Sequence, residues 1–303
     1  MIFHGRPGRG KEENIGDNEE VLQGGGVVLS AFAEAGLSAQ ELVEKKAFTR
    51  TPDSLRVPEE EILESGVQEQ KLNLMGSSEV VHIKIRDDGS AVFKPRDGEV
   101  DFSRGFGHKQ GTLYLRERAA YLVDRFLGFN LVPPTTIREV DGRVGSVQQF
   151  IPDTQELCEI SHTDCAAHDS DFGRLMLFDY LVWNADRNER NLLVSKTPEG
   201  KRSIHAIDNS LTFDGQASLY SVKNSLGEPV PSDIAQNIQK IIQDEGMKAL
   251  LKELLLELLP KKDVMAFFAR MEMLAQDLSG HKEDSNHIPP PYIFRNYNPG
   301  GSR

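Results

Sequence analysis

The sequence is short of cysteine, of tryptophan and of net positive charge, and it holds no long apolar run. Two cysteines, Cys158 and Cys165, cannot staple a chain of 303 residues, so a disulfide scaffold is excluded and a reducing compartment is expected. No stretch approaches the roughly 20 consecutive apolar residues of a bilayer span, so membrane contact is expected to be peripheral at most. The opening residues, MIFHGRPGRGKEEN, turn charged too soon for a secretory signal, which makes a cytoplasmic location the expectation. Lys and Arg number 35 against 47 Asp and Glu, a formal charge of −12. A chain so acidic is a poor match for nucleic acid or for unaided docking on anionic lipid. No internal repeat is visible.

What is present is patterned. Hydrophobic residues make up 38% and charged residues 27%, enough for a buried core and against wholesale disorder. Residues 38–66 hold two short helix candidates. One opens on Ser38 with Glu41 as a capping box; the other opens near Pro58 with Glu59, Glu60 and Glu61 in its first turn. Val81, Ile83 and Ile85 then alternate with His82, Lys84 and Arg86, the period of a half-buried strand. Asp88-Gly89 supplies a turn, and Ala91 to Lys94 return as a second strand. Leu115, Ala119, Leu122, Val123, Phe126 and Leu127 form one stripe of a helix that Gly128 stops. TTIREVDGRVGSVQQFI is a hairpin turned at Asp141-Gly142.

Beyond residue 170 the character changes. FGRLMLFDYLVWN is an apolar helix, LLVSK and SIHAI are short strands around TPEGKR, and 232–280 is helical with a stop at Pro260. The pattern predicts an α+β chain: an antiparallel β-rich lobe, a mostly helical lobe and a cleft between them. The expected boundaries are an extension over 1–70, the first lobe over 71–152, the second over 153–281 and a flexible tail over 282–303.

The chemistry concentrates in WNADRNERNLLV, where Asp186 stands five residues before Asn191 in a loop between helix and strand. Asp208 ends the strand SIHAID. If the two strands pair about Glu199-Gly200, Asn191 lies opposite Asp208 and Asp186 hangs beside them; a slip of one residue would change that pairing. Two carboxylates and one amide oxygen suit a hard cation such as Mg²⁺, which completes its shell with water and phosphate oxygens. Phosphoryl transfer needs such ions, a carboxylate to orient the attacking hydroxyl and a fixed cation on the non-transferred phosphates. Lys94, on AVFKP, would supply that cation, held by the helix residue Glu117. A merely solvated polar loop is the competing reading, and the order of lysine, glutamate, aspartate, asparagine and aspartate weighs against it.

Other clusters are weaker. Asp171, Phe172 and Gly173 spell D-F-G but precede the loop, and Asp171 is read as a helix-start residue. Gly105, Gly107 and Gly111 mimic a phosphate loop without a strand–turn setting. Cys158, His162, Cys165 and His168 are spaced unlike a familiar zinc finger, so an ordinary helix or loop is expected in place of a Zn²⁺ site.

Several blocks in one order carry a resemblance: GSS at 76–78, AVFKP at 91–95, YLRERAAYLVDRFLGFNLVPPT at 114–135, GSVQQF at 145–150, LFDYLVWNADRNERNLLV at 177–194 and AIDNSLTF at 206–213. The chain resembles the phosphatidylinositol 3/4-kinase-like superfamily, most closely the type II phosphatidylinositol 4-kinases. The resemblance implies a bilobed, protein-kinase-like fold that binds ATP and Mg²⁺. Lys94 matches the family's ATP lysine and Glu117 its partner. Asp186 matches the catalytic aspartate, Asn191 and Asp208 the metal ligands, and Arg187 a residue that steadies the loop. Gly76, Ser77 and Ser78 fall in the phosphate-covering loop, and Gln149, Phe150 and Ile151 where the interlobe linker meets adenine. The implied acceptor is a phosphoinositide hydroxyl; a protein Ser or Thr, as in the HipA-like branch, is the alternative acceptor. A nucleotide-binding pseudokinase scaffold and an AMP-transferring enzyme are further alternatives. The cysteine-rich palmitoylated insert of animal type II enzymes is missing, and nothing after Phe213 matches a lipid-binding surface.

Overall fold

A computed structural model describes residues 51–64, 67–74, 78–85, 89–101, 108–160, 169–196, 202–213 and 230–279. The chain enters as a strap, a 3-10 turn at Asp53–Leu55 followed by helix α1 (Pro58–Glu64). Proline at the first helical position and three glutamates in the first turn suit a helix N-terminus. Five strands follow: β1 (Val67–Leu74), β2 (Val80–Ile85), β3 (Ser90–Pro95), β4 (Thr135–Val140) and β5 (Arg143–Gln149). They form one antiparallel sheet in the order β1-β2-β3-β5-β4. Strand β1 was not anticipated. Its sequence, VQEQKLNL, lacks apolar alternation, which an edge strand with two register irregularities does not need. The alternation in β2 and β3 does bury Val81, Ile83 and Ile85 with Ala91 and Phe93.

Helix α2 (Leu113–Leu127) lies between β3 and β4 in sequence and ends at Gly128, whose φ of 75° is the left-handed cap that glycine supplies without strain. Its predicted stripe joins the larger core through Ala119, Leu122, Val123, Phe126 and Leu127, with Leu115 packed at the margin. Burial goes further than one stripe: 13 of the 15 residues are buried, Arg116, Glu117 and Arg118 among them. The helix is wedged between the sheet and the second lobe.

That lobe contains β6 (Thr154–Glu156), α3 (Asp169–Val182), β7 (Leu192–Lys196) and β8 (Arg202–Ala206), then α4 (Ser232–Gln243), α5 (Glu245–Leu258) and α6 (Lys261–Ser279). Strands β6, β7 and β8 make a second antiparallel sheet. Helix α5 stops before Pro260, as expected. The large core joins Phe178 and Leu181 of α3 to Ile234, Leu251, Leu255, Phe267 and Met271. Among the described residues no helix is long and apolar enough to cross a membrane.

The β7–β8 register differs by one residue from the expected one. Leu192 pairs with Ala206 and Val194 with Ile204, so Asn191 faces Ile207, not Asp208. The slip sets all four of those buried apolar residues opposite one another; the expected register would have put Val194 against His205. Asp208 then falls beyond the strand, with φ at 52°.

Gly145 on β5 leaves no room for a side chain against β3. A Cβ there would stand 2.2 Å from the Lys94 carbonyl oxygen and 2.7 Å from the Phe93 ring. Gly145→Ala is therefore expected to destabilise the protein by about 1–3 kcal/mol, the usual cost of overpacking, in chemical denaturation. It should also displace the strand that carries Lys94.

Candidate active site

Strand β3 sends Ala91 and Phe93 into the sheet core and Lys94 to the opposite face. There the Lys94 ammonium donates to Glu117 Oε1 at 2.5 Å and to Asp208 Oδ1 at 2.9 Å. Glu117 Oε2 accepts from the Asn209 backbone N–H at 3.0 Å, and Asp208 Oδ1 also accepts from Ser210 Oγ at 2.9 Å. One strand, one helix and the end of a distant hairpin thus meet at a single ammonium.

The charges sustain one another. Burial alone would lower the Lys94 pKa, but Asp208 and Glu117 outweigh it and hold the ammonium above its ordinary value. Lys94 in turn holds the Asp208 carboxyl below the usual range against the pull of burial. Burial pushes Glu117 upward, opposed chiefly by Lys94. The Asp208 side chain remains 44% exposed, so this cluster is open to a ligand.

Asp186 follows α3 in a loop tied down by side chains. Its N–H donates to Asn184 Oδ1 at 2.9 Å, and its carbonyl accepts from Asn191 Nδ2 at 3.1 Å and Asn188 Nδ2 at 3.0 Å. Asp186 keeps solvent contact, yet partial desolvation in the cleft and then the charge of Asp208 push its carboxyl up, against Arg187. Arg187 points the other way. It forks onto Asp179, with Nε 3.0 Å from Oδ2, and donates to the carbonyls of Asn191 (3.1 Å) and Ile207 (2.8 Å) and to Asn209 Oδ1 (2.6 Å). One guanidinium therefore ties the loop to α3, to the start of β7 and to the end of β8.

Lys94, Glu117, Asp186, Asp208 and Ser210 line one cleft that opens to solvent. Val80, Pro95 and Leu211 supply apolar wall, and Ser78 sits at the edge, its Oγ accepting from the Val100 N–H at 3.1 Å.

No family model matches the chain. It is 27% identical over 181 residues to Protein Rv2133c of Mycobacterium tuberculosis, covering 48% of this chain and 63% of that protein. It is 29% identical over 161 residues to phosphatidylinositol 4-kinase gamma 2 of Arabidopsis thaliana, covering 39% of this chain and 29% of that one. The chain therefore spans less than two thirds of either relative. Among solved structures it resembles hydra Fam20 with sugar, at a TM-score of 0.51 and 16% identity over 71% of this chain and 84% of that one. It also resembles the Golgi casein kinase with Mn/ADP bound, at a TM-score of 0.50 and 15% identity over 70% and 72%. The fold is kinase-like.

In this kinase-like frame the expected site residues divide. Lys94, Glu117, Asp186 and Asp208 share the cleft. Asn191 is joined to it through its bond to the Asp186 carbonyl, although its side chain is not part of the lining. Gln149, Phe150 and Ile151 lie at the end of β5 outside that lining. The Gln149 N–H donates to Pro134 O and the Phe150 N–H to Ser90 O, while the Phe150 ring packs 4.7 Å from His82. Gly76, Ser77, Gly105, Gly107, His162, Cys165 and His168 lie outside the described residues. Cys158 is exposed, with its thiol 3.3 Å from Glu156. Asp171 is the third residue of α3, within its first turn.

The oxygen donors fit a hard cation. Both contacts of Asp208 use Oδ1, which leaves Oδ2, and Asn191 spends its amide nitrogen on Asp186, which leaves its amide oxygen.

Several residues of the site escaped the sequence reading. Asp179 left one signal, a carboxylate inside the apolar run LMLFDYLV, where burial demands a partner. Asn209 and Asn184 left none. Glu99 lines the cleft and accepts from the N–H groups of Gly111 (2.6 Å), Leu113 (3.0 Å) and Tyr114 (2.8 Å), capping α2 from 12 or more residues upstream. No local pattern reveals such a cap.

Proposed function

We propose that the chain is an ATP- and Mg²⁺-dependent kinase that phosphorylates the hydroxyl of a phosphoinositide. The observation that carries the reading is Lys94 held between Glu117 and Asp208, with Asp186 in the same cleft. Lys94 would grip the α- and β-phosphates, and Glu117 would brace it. Asp186 would orient the acceptor hydroxyl and take its proton, and Arg187 would keep the loop in place. Asp208 and Asn191 would hold the cation, which supplies neutralisation of phosphate charge when bound. Ser78, with Gly76 and Ser77, would cover the phosphates, and Gln149 to Ile151 would meet the adenine. The Mn/ADP bound to the Golgi casein kinase supports a nucleotide and a divalent cation; the family resemblance supports Mg²⁺ and the lipid.

A protein Ser or Thr is the second reading for the acceptor, supported by the likeness to the Golgi casein kinase. The complete polar set weighs against a pseudokinase. Labelled ATP with phosphatidylinositol vesicles, and separately with cell-lysate proteins, separates the two acceptors. Label in lipid, absent with Asp186→Ala, is the expected result. Label on protein alone moves the acceptor to protein, and tight Mg-ATP binding with no ATP consumed overturns the kinase reading.

A further inference from the structure

Three consecutive residues of α2 are charged and buried: Arg116 is 4%, Glu117 2% and Arg118 0% exposed. Successive helical positions point about 100° apart, so each faces a different body. Arg116 reaches the second lobe, donating to Thr212 O and pairing with Asp263 at 2.9 Å. Glu117 faces the cleft. Arg118 faces the strap of residues 51–64.

The strap is built to receive it. Arg118 Nη2 donates to Thr51 Oγ1 at 3.1 Å and its Nη1 to Thr135 O at 2.6 Å. Glu60, 1% exposed, is the acidic centre. Its Oε2 accepts from Thr51 Oγ1 at 2.5 Å and stands 3.9 Å from Arg118, and its Oε1 accepts from Tyr121 OH at 2.7 Å. Arg125, two turns beyond Arg118, donates to Leu55 O at 2.9 Å. Leu55 packs on the large core to which α2 belongs and Leu63, fully buried, belongs to the sheet core, so the strap is pinned to α2 and to the first sheet.

We propose that residues 51–64 act as a positioning strap for the Lys94–Glu117 pair, with Glu60 as the positioning residue; this rests on the kinase reading above. A buried guanidinium without its anion is costly, and α2 relieves that cost by turning or shifting until Arg118 is hydrated. Glu117 is the adjacent residue, so the same movement draws its carboxylate away from Lys94.

The test uses the full chain. In Glu60→Gln, kcat for Mg-ATP turnover, measured well below the unfolding midpoint, is expected to fall on the order of 100-fold, the effect of a misplacement near 1 Å. KM for ATP should change by less than about threefold. In a Glu117→Gln background, Glu60→Gln should produce no further fall, because it acts through Glu117. An undiminished kcat in Glu60→Gln, or an equal fall in both backgrounds, overturns the proposal. If Glu60→Gln does not fold, Thr51→Val and Tyr121→Phe, each removing one bond to Glu60, enter the same comparison. If the wild type consumes no ATP, the kinase reading has failed by itself. The strap is then judged by reaction of the Lys94 amine with trinitrobenzenesulfonate, mapped by peptide mass. A rise of about tenfold in the strap variants supports it, and no change sinks it.

Discussion

Asp186→Ala is expected to lower phosphoryl transfer about 10³-fold while Mg-ATP affinity stays within a few-fold. A positioned general base contributes about 10²–10⁴ to rate, and Glu189, the other carboxylate of the loop, does not line the cleft. The Lys94 cluster does not depend on it: none of the hydrogen bonds that tie Lys94 to Glu117 and Asp208 involves Asp186. The loop also keeps its shape, because the bonds from Asn188 and Asn191 end on the Asp186 carbonyl and not on its side chain. Single-turnover rates beside equilibrium nucleotide binding check both halves. The pH profile adds a sign. In the proposed role Asp186 accepts a proton only when ionised, and partial desolvation with the Asp208 charge raises its pKa. Activity should therefore be lost as pH falls, with the acid limb above the ordinary aspartate value near 3.9. A wild-type limb below that value would contradict the environment described here, and full activity in the alanine variant would remove Asp186 from the reaction.

Asp208→Asn is expected to remove turnover and the Mg²⁺ dependence of nucleotide binding together. The substitution takes away a charged oxygen donor and one of the two anions on Lys94, while Glu117 keeps the other contact. Asparagine is the cleaner choice over alanine. It tolerates the left-handed backbone, φ 52°, that places this side chain, and its amide oxygen can still accept from Ser210. Loss of cation stabilisation worth several kcal/mol corresponds to roughly 10³-fold or more in rate. Calorimetric titration with ADP should show binding strengthened by Mg²⁺ in the wild type and unaffected by it in the variant. A variant that still responds to Mg²⁺ places the cation elsewhere.

Much of this was legible before any coordinates. Alternation in β2 and β3 set the inward face and so put Lys94 on the other side. The apolar stripe and Gly128 gave the length of α2, and spacing placed Asp186, Asn191 and Asp208 around one hairpin. The misses share a cause. Strand β1 has no apolar period because it is an edge. The hairpin slipped by one because packing of Leu192, Val194, Ile204 and Ala206 decides register, and turn residues alone do not. The resemblance implied that Arg187 steadies the loop, but not how; that it binds α3, β7 and the end of β8 depends on Asp179 and Asn209 arriving from elsewhere.

By itself the sequence determined most of the inventory: the main helices and the strands with an apolar period, and the carboxylates, amide and lysine that the proposed phosphate chemistry would use. Local periodicity and caps contain that information, because each is settled within a few residues of chain. Tertiary structure decided which atoms meet. Lys94 and Asp208 are 114 residues apart, Glu60 and Tyr121 are 61 apart, and Arg116 and Asp263 are 147 apart. Contacts of that range exist only once the cores have closed the intervening loops. That closure turned the run of Arg116, Glu117 and Arg118 into three anchors on three different bodies.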